Sequence, residues 1–334
     1  MLGVFLALAP HAQADYSVEL DGSYAQGDDP FGDIDDLNLS VEAFLRPVDD
    51  SRGPYSEAAF LTRASSVRYR YSRLDRDFDS EFAAMFPNED AIKNHELSGR
   101  YVHLDSGWIG TGLIAIPVDR EGLDSSTDGL RIGAGVGRYI SDNSTVEVNL
   151  EYVRTDTDTS FNQDCGVVAA LAPTCDMLIL ESDTQADSLG VSVQYRRVGN
   201  IGNQTFATTV TGGYVNTDFD SEFSQSAVDV DGVNLPVLVD GADFLDLEGV
   251  ETPSPPSVDS WNFVAAGTWY LNREIGIDAV YTFEKADDLD VHGIGVGAGW
   301  FVLPNLEVRG SYTYRFPDLG SNNDMWRLTL RGRF

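Results

Sequence analysis

The sequence predicts an all-β fold, a transmembrane antiparallel up-and-down β-barrel of about 14 strands with short periplasmic turns and long external loops. Three observations lead to this prediction. Segments of about ten residues alternate between apolar and polar side chains along the chain, the length a tilted strand needs to cross a bilayer. Their connections alternate in length, and the last segment has one apolar and one strongly cationic face.

The last ten residues, Met325–Phe334, show the alternation most clearly. The apolar set is Trp326, Leu328, Leu330 and Phe334, and the polar set is Arg327, Thr329, Arg331 and Arg333. A period of two places these sets on opposite faces of a β-strand. The edge strand of a soluble sandwich has no need of three arginines in four polar positions, whereas a membrane barrel has lipid outside and water inside.

The same period of two predicts six more strands in the first half of the chain. They are Tyr16–Tyr24, Leu37–Leu45, a strand containing Val67, Tyr69 and Tyr71, His95–Leu104, Trp108–Val118 and Leu130–Ile140. In Trp108–Val118 both faces are apolar, so this strand does not show which face meets lipid. Seven strands follow before the last one: Thr145–Arg154, Leu189–Arg197, Gln204–Asn216, Trp261–Leu271, Ile275–Phe283, Val291–Val302 and Leu306–Phe316.

Every second connection is predicted to be a short turn. These turns are Pro47–Pro54, Asp105–Gly107, Ser141–Asn143, Gly199–Asn203, Asn272–Arg273 and Leu303–Asn305. The other connections are mostly longer and polar, above all Asp75–Asn94 and Asp218–Ser257. This asymmetry is typical of outer-membrane barrels and puts both ends of the barrel chain in the periplasm.

The charge balance excludes one class of partner. Asp and Glu outnumber Lys and Arg 54 to 22, a formal net charge of −32. Nucleic-acid phosphates would be repelled by such a chain. The acidic residues gather between the predicted strands, where they solvate the loops and could also bridge divalent cations on a lipopolysaccharide surface.

Two short segments indicate an exported protein. Residues 1–14 are apolar and end in a small-x-small site at Ala12 and Ala14, so they are interpreted as a residual signal peptide, with the barrel spanning 15–334. Cys165 and Cys175 lie close together between predicted strands. In an oxidising periplasm they are expected to form a disulfide across an external loop, and two thiols without a neighbouring histidine make a poor metal site.

Two features resemble known families. The closing strand with its terminal Phe334 resembles the last strand of Gram-negative outer-membrane barrels, which the barrel-assembly machinery reads. Glu57–Ser66, following Phe44–Val48, resembles a family of bacterial porins, and the likeness extends over nearly the whole mature chain. The resemblance implies an outer-membrane location but assigns no functional residues.

The face opposite the apolar one should line a water-filled lumen with charges of both signs. The predicted lining residues are Arg68, Arg70, Arg100, Arg196, Arg309, Arg315, Arg327, Arg331, Arg333, Glu42, Glu147, Glu151 and Asp278. They could instead pair with one another and fill a narrow barrel. Replacing Arg327 and Arg331 with Glu tests the first interpretation, because it should push ion selectivity toward cations.

The predicted function is passive diffusion of small hydrophilic solutes or ions, with no cofactor. Expected partners are outer-membrane lipid, lipopolysaccharide and the assembly machinery, and the expected state is a monomer or weak oligomer. A structural or adhesive barrel is one alternative, since a fold alone does not specify a function. A barrel enzyme is another, but His95, His103 and His292 occur without a nucleophile motif.

Overall fold

The computed structural model describes residues 15–29, 32–78, 92–118, 125–164, 177–228, 234–235, 257–286, 289–318 and 322–334. Fourteen long strands make up the described part of the molecule. In chain order they are β1 Asp15–Asp29, β2 Gly32–Asp49, β3 Ser66–Phe78, β4 Ile92–Val102, β5 Trp108–Val118, β6 Ser125–Ser141, β7 Ser144–Asp164, β8 Met177–Ile201, β9 Gln204–Val228, β10 Val258–Tyr270, β11 Ile275–Ala286, β12 Leu289–Leu303, β13 Leu306–Pro317 and β14 Asn323–Arg333. A two-residue strand, Asn234–Leu235, adds to the end of β9.

The strands form one closed antiparallel sheet. Each pairs with its neighbours in the chain, and β14 pairs with β1 from Asp28↔Asp324 to Glu19↔Arg333. The Phe334 carbonyl completes this seam by accepting hydrogen bonds from the amides of Ser17 (2.7 Å) and Val18 (2.9 Å). Closure joins the first strand of the sheet to the last, the arrangement that satisfies backbone groups in lipid. The predicted fold class is confirmed.

Alternate residues of each strand point to opposite sides of the wall. The outward set is apolar and exposed, as in Leu39, Val41, Leu150, Val296 and Leu328. On β5 the structure resolves the ambiguous face: Trp108, Ile114 and Ile116 are exposed on the outside, whereas Ile109 and Ala115 are buried inside. The period of two therefore separates a lipid face from an inner face around the whole barrel.

The wall differs in height around the barrel. β8 and β9 have 25 residues each and β7 has 21, against the roughly 9–11 needed to cross a bilayer. These three strands extend on the external side, beyond the predicted limits of Thr145–Arg154, Leu189–Arg197 and Gln204–Asn216. At 155–158, 183–188 and 217–220 these strands carry mainly Thr, Ser and Asp at successive positions, so no apolar period marks them.

The connection after β2 contradicts the predicted short turn at Pro47–Pro54. β2 continues through Pro47 to Asp49, and the sixteen residues from Asp50 to Ser65 then form a folded segment that leads into β3 at Ser66. It contains a 3₁₀ turn, Tyr55–Glu57, and a short helix α1, Ala58–Leu61. No helix in the described part of the chain is long and apolar enough to span a bilayer.

Other connections also refine the expected pattern. The external connection between β1 and β2 occupies only residues 30–31, and that between β11 and β12 only 287–288. The five remaining periplasmic turns are short, as predicted. The interpreted signal peptide, residues 1–14, and both cysteines lie outside the described residues, so the cleavage site and the disulfide stay predictions.

Candidate functional site: the lumen and its periplasmic plug

Ion pairs cross the inner wall between strands that are not neighbours. Arg100 on β4 donates two hydrogen bonds, of 2.6 and 2.9 Å, to Glu147 on β7. Glu147 is buried. Because β5 and β6 lie between these strands, the two side chains can meet only on the inner face. The bidentate geometry is the strong form of an Arg–carboxylate contact.

A longer network runs along the inner wall through β11, β13, β14 and β1. Arg309 contacts Asp278 and donates to Glu307 at 2.9 Å. Arg331 then lies 3.1 Å from Glu307 and 3.2 Å from Glu19, and Arg333 donates to Glu19 at 3.0 Å. Charges of opposite sign alternate through this network, so each one compensates its neighbours in a partly dehydrated wall.

Most of the other predicted lining residues also have a partner. The remaining pairs are Arg68 with Glu42, Arg196 with Glu57, Arg131 with Glu151, and Arg327 with Asp36. Arg70 and Arg315 form no ion pair with any residue in the described ranges. These two guanidinium groups are therefore the least compensated of the predicted lining cations.

Glycines on the inner face leave room for these side chains. β12 carries Gly293, Gly295, Gly297 and Gly299 at alternate positions. A Cβ at Gly299 would lie 2.5 Å from Glu307 Oε1 and 3.0 Å from Arg309 Nη2. The Arg309 side chain thus crosses β12 over bare backbone to reach Asp278 on β11. A glycine row lets the ionic network lie flat against the wall instead of projecting into the bore.

A cavity of about 400 Å³ with a mixed polar and apolar lining opens on the inner wall between β2 and β8. Its lining includes Arg68, Arg100, Ser98, Thr111, Asn149 and Ser192. Hydrogen-bond donors and acceptors share this surface, a composition that can replace part of the hydration shell of a polar solute.

The segment Asp50–Ser65, here called the plug, has a defined local fold. Its helix ends in a Schellman motif, with the Ala64 amide donating to Ala59 O (2.9 Å) and the Arg63 amide to Phe60 O (3.1 Å). That motif needs a left-handed residue, and Arg63 supplies it with φ 54°. Gly53, before the 3₁₀ turn, is also left-handed, with φ 103°. The two left-handed residues thus lie within the plug, one on each side of the 3₁₀ turn and α1.

The plug packs against the inner wall at the periplasmic end. Phe60 is 7% exposed. It belongs to one apolar cluster with Val102, Ile109, Tyr139, Val198, Ala207 and Tyr270. These partners come from six strands, β4, β5, β6, β8, β9 and β10, so they can surround one ring only inside the barrel. On the other side Ala58 packs against Tyr16 of β1 and Val48 of β2.

Polar contacts fix the plug around its rim. The Glu57 carboxylate accepts hydrogen bonds from Arg196 Nη2 (2.6 Å) and the Tyr270 hydroxyl (2.7 Å). Arg63 lies 2.8 Å from Asp142 on the β6–β7 turn, and Arg333 donates to Tyr55 O at 2.7 Å. These partners lie on widely separated parts of the wall, so the plug spans the mouth instead of lining one side.

The beginning of the plug also carries charge. Burial raises the pKa of the Asp50 carboxyl, while Arg273 and Arg333 oppose that shift. The guanidinium of Arg273 donates to Gly53 O at 2.9 Å and stacks over the Tyr55 ring at 4.6 Å. Tyr55 in turn packs edge-on against Phe301 of β12.

Several important residues of this site escape sequence reasoning. Arg131 alternates with Leu130 and Ile132 and could have been found by the same period of two. Glu57 and Phe60 could not, because they lie in the segment whose only signal was its family resemblance. The described histidines form no catalytic pair with an acid: His95 and His292 bond to Tyr69 and Tyr281 on the outer face.

Comparison with known proteins places these observations in a family. The chain has TM-score 0.49 and 13% identity to the outer membrane protein Omp33 of Acinetobacter baumannii, covering 96% of this chain and 99% of that one. An outer membrane channel from Pseudomonas putida F1 has TM-score 0.45 and 7% identity, with coverages of 98% and 100%. No curated protein sequence matches. The model of one family, described as putative general bacterial porin, matches residues 2–218, and the chain belongs to this family of bacterial outer-membrane barrels.

Proposed function

We propose that the protein is an outer-membrane porin through which small hydrophilic solutes and ions diffuse passively. The observation that carries this proposal is the construction of the inner wall. Charged side chains are paired and held flat over glycine rows, so a barrel of this strand number keeps space for water rather than being filled by its own side chains. Family membership supports the same conclusion.

The unpaired arginines suggest the direction of selectivity. A cation whose charge is already compensated attracts passing anions weakly, because its field is largely cancelled at short range. Arg70 on β3 and Arg315 on β13 have no carboxylate partner in the described ranges. They should therefore give the bore a modest preference for anions, despite the strongly acidic total charge.

A salt-gradient measurement in a planar bilayer tests both statements. The refolded chain should show single-channel openings with a reversal potential on the anion-selective side. Arg70→Gln with Arg315→Gln should move that potential toward cations. The matched control is Arg138→Gln with Arg197→Gln, since both side chains are exposed on the outer face. An unchanged reversal potential in the first pair would remove these arginines from the conduction path.

Replacing Arg70 and Arg315 gives a less ambiguous result than replacing Arg327 and Arg331. Arg331 contacts Glu19, Asp21 and Glu307. Removing one member of such a buried network leaves its partners uncompensated and is strongly destabilising, by about 3–5 kcal/mol. A selectivity change in that variant could follow from a distorted wall.

The outer face supports the proposed environment. Trp108, Trp269 and Trp300 lie near the periplasmic ends of their strands, while Trp261 and Trp326 lie near the external ends. Aromatic rings at both levels suit two interfacial girdles. Because apolar side chains face outward all round the wall, we propose a monomer or weak oligomer in contact with outer-membrane lipid and lipopolysaccharide. The terminal strand is proposed as the signal for the assembly machinery.

An enzymatic role has little support. The Ser106 hydroxyl lies 2.9 Å from His103 Nδ1, but the same nitrogen accepts a hydrogen bond from the Ser106 amide at 3.3 Å. This contact therefore closes an exposed periplasmic turn, and no carboxylate in the described part of the chain orients the imidazole.

A further inference from the structure

We propose that the plug, Asp50–Ser65, is a gate that swings about Gly53 and Arg63, and that Glu57 latches it closed through Arg196 and Tyr270. This inference rests on the proposed porin function, because a gate matters only if the bore conducts. Four features of the plug lead to it.

First, the plug is not integrated into the wall. Strands hold one another through continuous ladders of backbone hydrogen bonds, which open only when the sheet unfolds. Within the described ranges, the plug makes one backbone hydrogen bond to a strand or turn other than its own flanks, from the Tyr55 amide to Arg273 O at 3.0 Å. Its other attachments use side chains, which can exchange one partner for water.

Second, the two left-handed residues bracket the part that would move. Hinges are a few residues at the ends of elements that absorb large changes in φ and ψ. Gly53 adopts either sign of φ without penalty. Arg63 does not, and it is the one non-glycine residue with positive φ in the described part of the chain. Its strain would be released if the plug swung away and the Schellman turn relaxed.

Third, the latch is charged. The Glu57 side chain is only 6% exposed and holds both Arg196 and Tyr270. Arg196 also stacks over the Phe60 ring at 4.5 Å. The same guanidinium therefore contacts both an acidic and an apolar side chain of the plug, and both contacts are lost together when the plug moves away from the wall.

Fourth, closure leaves polar groups unsatisfied. The hydroxyls of Tyr16 and Thr145 are buried without a hydrogen-bond partner in the described residues. Tyr16 packs against Ala58 of the plug, and Thr145 pairs in register with Arg196. Buried, unpaired hydroxyls cost free energy that water would recover. The closed state thus carries a penalty that opening relieves, as a bistable element requires.

A reversible disulfide tests the gate directly. Tyr55 and Arg273 are joined by a backbone hydrogen bond, so cysteines there lie within the range that a disulfide spans. In Tyr55→Cys with Arg273→Cys, oxidation should lock the plug and silence the channel, and reduction should restore openings, with at least about a tenfold change in open fraction. The wild type, taken through the same cycle, controls for Cys165 and Cys175 and should not change.

A second variant tests the latch without a crosslink. Glu57→Gln keeps the shape of the side chain but removes its charge, so the open fraction should rise while the unfolding midpoint of the barrel barely moves. Glu274→Gln, at an exposed position on a periplasmic turn, is the matched control and should conduct like the wild type.

The outcomes separate the two proposals. Equal conduction by the oxidised and reduced double variant would overturn the gate and leave the porin standing. Silence of the folded protein in every state, including the reduced double variant and Glu57→Gln, would overturn both. Conduction that follows the redox cycle supports both.

Discussion

The periplasmic end of the barrel is packed like a protein core, whereas the wall above it carries charges arranged to leave space. At the periplasmic end Val48 and Ala58 are fully buried, and Phe60 shares an apolar cluster with residues from six strands. Above it, Arg309 lies across Gly299 toward Asp278. The wall follows one alternating pattern in both places, so the difference comes from the inserted segment. A barrel can thus be closed without changing its strands.

The largest expected effect on gating comes from removing a buried side chain at the packed periplasmic end. Phe60→Ala removes the ring that joins the plug to the wall, and truncating a buried Phe costs about 3–5 kcal/mol. Even about 3 kcal/mol changes an equilibrium roughly a hundredfold, so single-channel recordings should show a nearly permanently open pore.

Phe263→Ala is the matched control for Phe60. The Phe263 ring is 38% exposed on the outer face and should leave gating unchanged. An open fraction that rises equally in both variants would mean that the loss of an aromatic ring loosens the whole barrel, and the two ends would then not differ as described.

The next effect sharpens the distinction between outer and inner faces. Leu328→Arg places a charge among lipid tails and should destabilise the barrel by about 2–4 kcal/mol. Thr329→Arg, one residue along β14, points inward and should cost far less. Unfolding by urea in lipid vesicles measures both. Equal destabilisation would contradict the assignment of the faces.

A smaller effect tests the open part of the wall. Gly299→Ala should push the Glu307 and Arg309 side chains into the bore, because the new Cβ would lie 2.5 Å from Glu307 Oε1. Single-channel conductance should fall by less than about twofold. Gly310→Ala is the control, since no atom lies within 4 Å of its Cβ position. If conductance fell in neither variant, the glycine row would not keep the bore clear.

The smallest effect on the pore is expected at Phe334. Its ring is 39% exposed at the seam, while its backbone carbonyl makes the closing hydrogen bonds. Phe334→Ala should therefore leave conductance and gating of the refolded protein unchanged, yet reduce the fraction assembled in cells. The amount of folded barrel in outer-membrane fractions, measured by its shift in gel mobility on heating, checks this. Normal assembly of the variant would show that Phe334 is not the assembly signal.

Sequence reasoning succeeded where the signal is local. Trp326, Leu328 and Leu330 indicate a lipid-facing surface, because side chains alternate between the two faces of any β-strand, independently of the rest of the fold. It failed at the plug for a definable reason. Pro47, Pro54 and Gly53 are ordinary turn residues, and the seven residues from Tyr55 to Leu61 are too few to show a helical period.

The upper parts of β8 and β9 were missed for a different reason. Polar residues such as Thr184, Gln185 and Asp220 occupy successive positions there, as expected of a strand with water on both sides, so the sequence shows no period of two. What identifies them as strands is the ladder of pairs between β8 and β9, which runs from Met177↔Val228 to Ile201↔Gln204.

The sequence by itself determined the number of strands, the two faces of most of them and the presence of charges on the inner face, because each depends on residues one or two positions apart. Only the tertiary structure decided which charges are paired and what closes the mouth. Glu57 and Arg196 are 139 residues apart, and Arg333 meets Glu19 across 314. Such contacts exist only after β14 has joined β1, since closure of the sheet brings distant strands around a common interior.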